Sequence, residues 1–358
     1  MTQPPPHNPR KGRGAVSNDD NRYSRHRHER IDDGWTPDEA IPPLVTTVST
    51  EASRTAISRN RSPDIPFEQS VNMYRGCEHG CIYCYARPSH AYLGLSPGLD
   101  FETRLTVKPD TVSLLKQELA DKKYLCKVIA LGANTDPYQP IERKHRITRE
   151  ILEVLLDCRH PVTITTKSAL IERDIDLLVA LAERNLVQVG ISLTTLDRPL
   201  ARVLEPRAAA PDRRIAAMRK LSHAGVPVVA MIAPVIPFLT DAELETLLEL
   251  AADAGASQAQ YLILRLPLEL KGLFEEWLAT HYPLKKEHVL NRLEAFHGGK
   301  LYDAQFGTRQ TGAGIFAELM RQRFKLAIKR LGLNATVTKL DTTQFRPPVL
   351  PGYQYSLF

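Results

Sequence analysis

A chain of 358 residues with 43% hydrophobic and 25% charged residues has the composition of an ordinary globular protein, long enough for one large domain or two smaller ones. Its most apolar stretch, residues 226–239, is too short and too interrupted by proline to cross a bilayer, which excludes a membrane protein. Five cysteines and a first segment without the apolar core of a signal peptide argue against a disulfide-stapled secreted protein, so we expect a cytoplasmic one.

The first 45 residues are rich in Pro, Arg, His, Asn and Asp and show no apolar periodicity. Within them, residues 1–31 hold seven Arg or Lys against three Asp or Glu, which accounts for most of the net charge of +6. This composition predicts a disordered basic tail over residues 1–45. Because Arg-rich arms bind phosphates without sequence preference, contact with nucleic acid through this tail is an open alternative.

Residues 46–70 are expected to lead across the domain to the first strand, after which short β-branched runs alternate with longer helical ones. The predicted strands are 69–75, 127–132, 162–167, 187–193, 226–233 and 260–265. The predicted helices between them are 110–121, 146–158, 174–185, 212–224 and 241–254. Residues 268–332 are expected to be rich in helix, and residues 333–358 to form a Pro-rich tail that packs on the preceding domain.

This repeated alternation predicts parallel strands joined by crossover helices, an α/β fold. Periodicity alone leaves two architectures open, a partial β/α barrel and a flat doubly wound sheet. In a barrel the active site gathers at the carboxyl ends of the strands. Polar clusters follow the first four predicted strands, which apolar packing would not require.

The segment after the first predicted strand carries Cys77, Cys81 and Cys84 in a C-x3-C-x2-C spacing, with no fourth cysteine nearby. A structural zinc site or a fully ligated four-iron cluster has four protein ligands. Three thiolates on one short loop indicate instead a [4Fe-4S] cluster with one open iron, able to bind a cofactor directly. A zinc site completed by His79 or by a distant histidine is the alternative.

The loop resembles the cluster-binding signature of the radical S-adenosylmethionine (SAM) superfamily. The resemblance implies a [4Fe-4S] cluster and S-adenosyl-L-methionine as cofactors, with a one-electron reductant, flavodoxin-like or ferredoxin-like, as partner. It implies reductive cleavage of SAM to a 5′-deoxyadenosyl radical that abstracts hydrogen from a substrate. Tyr83 stands where the superfamily usually places an aromatic residue beside the adenine.

Further segments resemble the spore photoproduct lyase-like branch, and the similarity covers roughly residues 66–270. The matching pieces are 74–88, 134–140, 166–168 and 204–206. The resemblance implies a partial (β/α)6 TIM-type barrel over residues 46–267, followed by a helical C-terminal extension over residues 268–358.

Carried onto this sequence, the resemblance implies five further cofactor-binding residues. Asn134, Thr135 and Asp136 occupy the place that binds the SAM amino group. Lys167 is expected to pair with the SAM carboxylate, and Ser192 to bind the ribose or the carboxylate. Plain structural roles remain open: Asp-Pro starts turns, a strand-end lysine is often solvated, and strand-end serines often satisfy local backbone groups.

Three arginines, Arg87, Arg213 and Arg214, are weaker candidates for contact with SAM or with an anionic substrate, and no catalytic residue is assigned. One departure from the branch limits the substrate. Spore photoproduct lyases use a cysteine thiol as hydrogen donor after the second strand, where this chain has Ala133. We therefore expect a radical SAM enzyme with an unidentified substrate. The alternatives are a radical SAM enzyme acting on DNA or RNA, and a non-catalytic metal-containing nucleic-acid-binding protein.

Overall fold

The computed structural model describes residues 9–24, 44–337 and 339–350, which form a mixed α/β fold. The strands are β1 (Thr47–Thr50), β2 (Ile57–Arg59), β3 (Gln69–Val71), β4 (Tyr74–Arg75), β5 (Arg104–Val107), β6 (Ile129–Leu131), β7 (Val162–Thr166), β8 (Val187–Ser192), β9 (Val228–Val235) and β10 (Gln258–Ile263). The α-helices are α1 (Asp100–Thr103), α2 (Thr111–Ala120), α3 (Glu142–His145), α4 (Ile147–Asp157), α5 (Ile175–Ala182), α6 (Arg198–Leu204), α7 (Pro211–His223), α8 (Leu244–Asp253), α9 (Leu270–His281), α10 (Lys286–Phe296) and α11 (Ile315–Leu331).

The larger sheet has seven strands in the order β10-β9-β8-β7-β6-β3-β2. The strands from β3 to β10 run parallel and follow one another in chain order, and β2 is an antiparallel edge strand. A doubly wound sheet would reverse its strand order at a switch point, and this sheet does not. It is an open sheet, because β2 and β10 are its two edges and do not pair with each other.

The six predicted strands are confirmed, and the first of them is divided into two strands, β3 and β4. The first continues only to Val71 in the large sheet, and β4 then joins a smaller sheet in the order β1-β5-β4. The lead-in predicted for residues 46–70 is wrong in part, since it contains β1 and β2, two strands too short for periodicity to reveal. The five predicted helices correspond to α2, α4, α5, α7 and α8.

The C-terminal third is helical as expected, with α9, α10 and α11, and Trp277 of α9 is fully buried. The following segment packs back on the domain over residues 339–350. There the Phe345 ring lies 5.3 Å from that of His160, and the Arg346 N–H donates to the Cys158 carbonyl at 2.8 Å. The predicted tail beyond residue 350 lies outside the described residues.

The disordered tail predicted for residues 1–45 is wrong for residues 13–17, each of which is buried. Ala15 and Val16 are only 1% and 4% exposed. Small side chains let this stretch lie against the domain, and Arg13 finds backbone and side-chain acceptors there. Of the rest of the predicted tail, residues 1–8 and 25–43 lie outside the described residues.

Across the parts of the chain that the structure describes, no helix is both long enough and apolar enough to span a membrane.

Candidate active site

The three cysteines lie on a tight loop, residues 76–87, which follows β4 and is called the cysteine loop below. Gly76 and Gly80 have φ angles of +73° and +68°, in the left-handed region that favours glycine. Side chains there have no room, since a Cβ at Gly80 would lie 2.6 Å from Oε2 of Glu102. Cys77 and Cys81 are each 7% exposed, Cys84 is half-buried, and all three are free thiols.

Arg87, a weak sequence candidate for SAM or substrate, instead holds the cysteine loop together. Its fully buried guanidinium donates to the carbonyls of Gly80 at 3.0 Å and Cys81 at 2.8 Å, and to the Glu102 carboxylate. The remaining nitrogen donates to two carbonyls of the 97–98 segment. With these donors engaged, Arg87 acts on the loop rather than on a bound molecule.

A second support of the loop comes from Gln139, which is fully buried. Its Oε1 accepts the Glu78 N–H at 2.9 Å and its Nε2 donates to the Gly76 carbonyl at 3.3 Å. The sequence analysis missed this role, although Gln139 lies in the 134–140 segment that carries part of the resemblance. The amide fixes the first turn of the cysteine loop.

Burial changes the chemistry of the thiols. It raises the pKa of Cys77 well above its usual range and that of Cys81 to about 12, although the nearby Lys167 ammonium partly opposes the shift at Cys81. Without a compensating cation these thiols stay protonated, whereas thiolates are the form that binds iron. Three soft donors in a dry loop therefore suit a metal cluster, whose positive charge stabilises the thiolates.

The zinc alternative fits less well. His79, its nearest histidine, places Nδ1 3.2 Å from Oδ2 of Asp136. Among the residues that the structure describes, no group of three or more His, Cys, Asp or Glu is arranged to hold one metal ion. A four-iron cluster gives each thiolate its own iron, so its ligands need not surround a single point.

Lys167, at the end of β7, places its ammonium 5.6 Å from the centre of the Tyr83 ring. Burial by itself lowers the pKa of Lys167, but the negative charges of the Cys81 thiolate, the form that binds iron, and of Glu205 outweigh burial and raise the pKa above its ordinary value. Within the described residues, this ammonium has no carboxylate at salt-bridge distance. A charged and unpaired ammonium beside the cysteine loop can receive an anionic group.

Tyr83 belongs to a buried network that the sequence analysis did not predict. Its hydroxyl donates to the Glu205 carboxylate and lies 3.1 Å from Oγ1 of Thr194. Glu205 also receives a donor from Arg214, which is 2% exposed and donates to the Ser192 carbonyl at 3.1 Å. The neighbouring Arg213 differs, since it is an exposed residue whose guanidinium pairs with Glu172. In the sequence, the match over residues 204–206 was the one indication of this network, and it did not assign a role to Glu205.

In the 134–136 segment, the side chains of Thr135 and Asp136 differ in whether they have hydrogen-bond partners. The Thr135 hydroxyl is buried and has no hydrogen-bond partner in the part of the chain that the structure describes, as a group awaiting a ligand would be. Asp136 is the opposite case, since its carboxylate accepts from Thr166 Oγ1 at 2.7 Å, from the Lys167 N–H at 2.8 Å and from the Tyr138 N–H at 2.9 Å, besides facing His79. Burial opposes its ionisation, but these partners, His79 foremost, bring the pKa of Asp136 to about 2. Its lone pairs are thus engaged, which leaves none for a SAM amino group.

The two remaining predicted residues are Ser192 and Asn134. Ser192, the last residue of β8, is 3% exposed, and the structure gives its hydroxyl no partner among the described residues. Asn134 donates its N–H to Oδ1 of Asn72 at 3.1 Å and lines a separate cavity of about 570 Å³.

That cavity is polar and basic. Its lining includes Arg54, Arg75 and Lys108, and Arg75 is paired with Glu51 at 2.6 Å. Lys108 has no carboxylate at salt-bridge distance in the described ranges, and burial together with the Arg75 charge lowers its pKa. The cavity therefore offers an unpaired cation beside the carboxyl ends of β3 and β6.

A sequence profile of the Radical SAM superfamily matches residues 71–251, slightly more than half of the chain. The chain belongs to the radical SAM superfamily. Enzymes of this superfamily use S-adenosylmethionine with an iron–sulfur cluster and require an electron donor. The matched range includes the cysteine loop, Lys167, Ser192 and the Glu205–Arg214 pair.

Relatives at the sequence level include uncharacterized proteins of a bacterium and of an archaeon. The chain is 38% identical over 221 residues to one from Mycobacterium tuberculosis, which is 61% of this chain and 65% of that protein. It is 28% identical over 222 residues to one from Methanocaldococcus jannaschii, covering 62% of this chain and 79% of the other. The chain thus matches a little under two thirds of the mycobacterial protein's length.

Among solved structures, the fold is similar to that of spore photoproduct lyase. The TM-score is 0.56 at 16% sequence identity, and the match covers 80% of each chain. One such structure contains bound AdoMet and dinucleoside spore photoproduct. At this identity the likeness establishes a shared fold.

Proposed function

We propose that this protein is a radical SAM enzyme that holds a [4Fe-4S] cluster through Cys77, Cys81 and Cys84. When bound, the cluster and S-adenosylmethionine supply the reductive cleavage that yields a 5′-deoxyadenosyl radical, which abstracts hydrogen from a substrate not yet identified. The observation that carries the proposal is the Lys167 ammonium, charged and unpaired among the described residues, beside the cysteine loop, where Cys77 and Cys81 are buried and Cys84 is half-buried. The electron comes from a flavodoxin-like or ferredoxin-like donor.

The chain's own residues bind and orient. Lys167 receives the SAM carboxylate, the Thr135 and Ser192 hydroxyls offer further hydrogen bonds, and Tyr83 lies against the adenine. Glu205 and Arg214 fix the Tyr83 ring from behind. Asp136 holds the turn before Lys167 in place, and the neighbouring residues rather than Asp136 bind the cofactor.

We also propose a specific architecture for the larger sheet and its helices. Six parallel strands in chain order, each followed by helical connections, support an open (β/α)6 arrangement of the TIM type. In such an arrangement the carboxyl ends of β6, β7 and β8 face a common mouth. Of the residues proposed to bind SAM, Thr135 follows β6, Lys167 follows β7 and Ser192 is the last residue of β8.

The test is SAM affinity in the variant Lys167→Met, measured by equilibrium binding to anaerobically reconstituted protein. Losing one charge-assisted contact is worth about 1.5–3 kcal/mol, so we expect SAM to bind about ten- to a hundredfold more weakly. Lys220→Met, which removes an exposed lysine paired with Glu172, is the matched control and should bind SAM as the unaltered protein does. Equal affinity in both variants would remove Lys167 from the site.

A nucleic-acid substrate is the second candidate, and the basic cavity beside Asn134 favours it. An unpaired Lys108 with Arg54 and Arg75 suits a phosphate-bearing substrate. The basic tail contributes less than its composition indicates, because Arg13 is buried and Arg22 is paired with Glu269 at 2.8 Å.

The test of this candidate is the salt dependence of binding to a single-stranded oligonucleotide. If Lys108 contacts a phosphate, Lys108→Ala should weaken binding and reduce the salt slope by about one counterion. Lys220→Ala is again the control. If the unaltered protein shows no measurable binding at low salt, nucleic acid is excluded as its substrate.

A further inference from the structure

A segment outside the superfamily match, residues 10–24, lies across the cysteine loop and is called the N-terminal strap. Its backbone meets one buried carboxylate. The N–H groups of Gly14 and Ala15 donate to the two oxygens of Glu102, at 2.9 and 2.8 Å. Arg13 adds a bond from Nη1 to the Glu102 carbonyl at 3.0 Å. Glu102 itself is fully buried.

The same carboxylate holds the cysteine loop. Arg87 donates to Glu102 and, with its other nitrogens, to the carbonyls of Gly80 and Cys81. The Glu102–Arg87 pair is therefore a two-residue link, with the strap on one side and the Gly80–Cys81 turn, at the second cysteine, on the other. Charge-assisted bonds in a dry setting are among the stronger ones in proteins.

The strap and the domain touch backbone to backbone at two glycines. A Cβ at Gly14 would lie 1.9 Å from the Gly80 carbonyl oxygen, and a Cβ at Gly98 would lie 2.3 Å from the Ser17 carbonyl oxygen. Neither glycine has a positive φ, so close approach rather than backbone conformation requires glycine at both. One of the two belongs to the strap and the other to the domain beneath it.

Both ends of the strap are anchored. At one end Arg13 donates to the Leu44 carbonyl and to Thr46 Oγ1, each at 2.9 Å. At the other end the Arg22 guanidinium meets both oxygens of Glu269 at 2.8 and 2.9 Å. The strap is thus held at both ends while its backbone lies against the cysteine loop at Gly80.

We propose that the N-terminal strap is the cover of the cluster site: it holds the cysteine loop in its binding conformation and keeps solvent, chelators and oxidants from Cys77 and Cys81. The inference rests on the proposed function, since it takes these thiols as cluster ligands. Arg87 and Glu102 are then positioning residues that transmit the strap's hold to the loop.

Two measurements test the cover. One is the rate at which iron leaves the reconstituted protein for a chelator in excess. The other is the rate at which Cys77 and Cys81 are alkylated in metal-free protein, mapped by mass spectrometry, with the buried Cys158 as internal reference.

Three variants lift the strap in different ways. Gly14→Ala clashes from the strap, Gly98→Ala clashes from the domain, and Arg13→Ala removes an anchor without any clash. The control is Gly272→Ala in α9, where an added Cβ meets no heavy atom within 4 Å.

We expect each strap variant to accelerate both rates about tenfold, because Arg13→Ala loses charge-assisted bonds and each glycine variant loses a close backbone contact, which in both cases favours the locally opened state. The control and Cys158 should stay at the rate of the unaltered protein. If Gly14→Ala fails to fold, Gly98→Ala and Arg13→Ala decide.

Rates unchanged in those variants, or a rise at Cys158 as large as at Cys77, would overturn the cover. The two proposals fail separately. A protein that binds no iron after reconstitution but still shows strap-dependent alkylation defeats the cluster assignment alone. A protein that binds iron with unchanged rates in all strap variants defeats the cover alone.

Discussion

Arg309 donates two hydrogen bonds to Asp64, from Nε and Nη2, each 2.6 Å from a different carboxylate oxygen. Asp64 follows the edge strand β2, whereas Gln310, next to Arg309, accepts the Ile263 N–H of the opposite edge strand β10. In a flat sheet these edges would lie about 29 Å apart, six strand spacings. Asp64 is only four residues past Asn60, at most about 14 Å of chain, so the sheet must curve to bring its edges together. The Arg309–Asp64 ion pair connects the two edges of the sheet, which in a closed barrel are connected by strand pairing.

Asp64→Asn should therefore loosen the bridge. The amide keeps the shape of the carboxylate but loses the charge that Arg309 meets, so we expect a lower urea midpoint and faster hydrogen exchange in residues 60–68 and 305–310. Glu249→Gln removes an exposed carboxylate that pairs with Arg330 and should change neither. Exchange unchanged in both segments would mean that backbone contacts alone hold the edges.

The cysteines give a metal-content prediction. Anaerobically reconstituted protein should contain about four irons and four sulfides per chain, and Ala at Cys77, Cys81 or Cys84 should abolish them. Cys126→Ala and Cys158→Ala are the controls and should keep the full content. One zinc per chain without iron under these conditions would contradict the assignment.

Glu205→Gln tests the network behind Tyr83. The change leaves Arg214 buried without its carboxylate, which should cost on the order of 3 kcal/mol of unfolding free energy and weaken SAM binding through the displaced Tyr83 ring. Glu172→Gln, whose partners Arg213 and Lys220 are exposed, should cost under about 0.5 kcal/mol. Denaturant titration of both variants checks the comparison, and equal losses would contradict it.

A pH dependence should come from His160, which is fully buried against Phe345 and Tyr124. Burial lowers its pKa from 6.5 to about 4, so between these values the unfolded chain binds the extra proton and stability falls as pH falls. The loss between pH 7 and pH 5 should be on the order of 2 kcal/mol. His160→Gln should remove this part of the loss. If urea unfolding shows the same pH dependence in the variant, another group is responsible.

Ala133 leads to a prediction about substrate. With no thiol at the place where the resembling lyases carry one, the unaltered protein should not convert a dinucleotide spore photoproduct cleanly to two thymines. Chromatography after incubation with SAM and a reductant should show mixed products or none, and Ala133→Cys should raise the thymine fraction. Clean catalytic recovery by the unaltered protein would show that another hydrogen donor is present; the Tyr85 hydroxyl, which bonds the Ala133 carbonyl, is the nearest group to examine.

The sequence predicted what depends on neighbouring residues and missed what depends on distant ones. Strands such as β7 and β8 were evident because β-branched runs and turn residues mark them locally. The burial of Arg13 depends on Glu102, 89 positions away, and the role of Glu205 depends on Tyr83, 122 positions away. Asp136 shows the remaining limit, because residue type and spacing gave its location but only the structure gave the donors that occupy it.

The N-terminal strap also imposes an order on how the protein is made. Gly14 and Ala15 leave the ribosome well before Arg87 and Glu102, the residues on which the strap settles. Until that later surface exists, the early segment has nowhere to dock, and the three thiols emerge uncovered. On the proposed cover, the thiols are accessible between synthesis of the cysteine loop and docking of the strap, and a cluster loaded later enters through local opening of the strap.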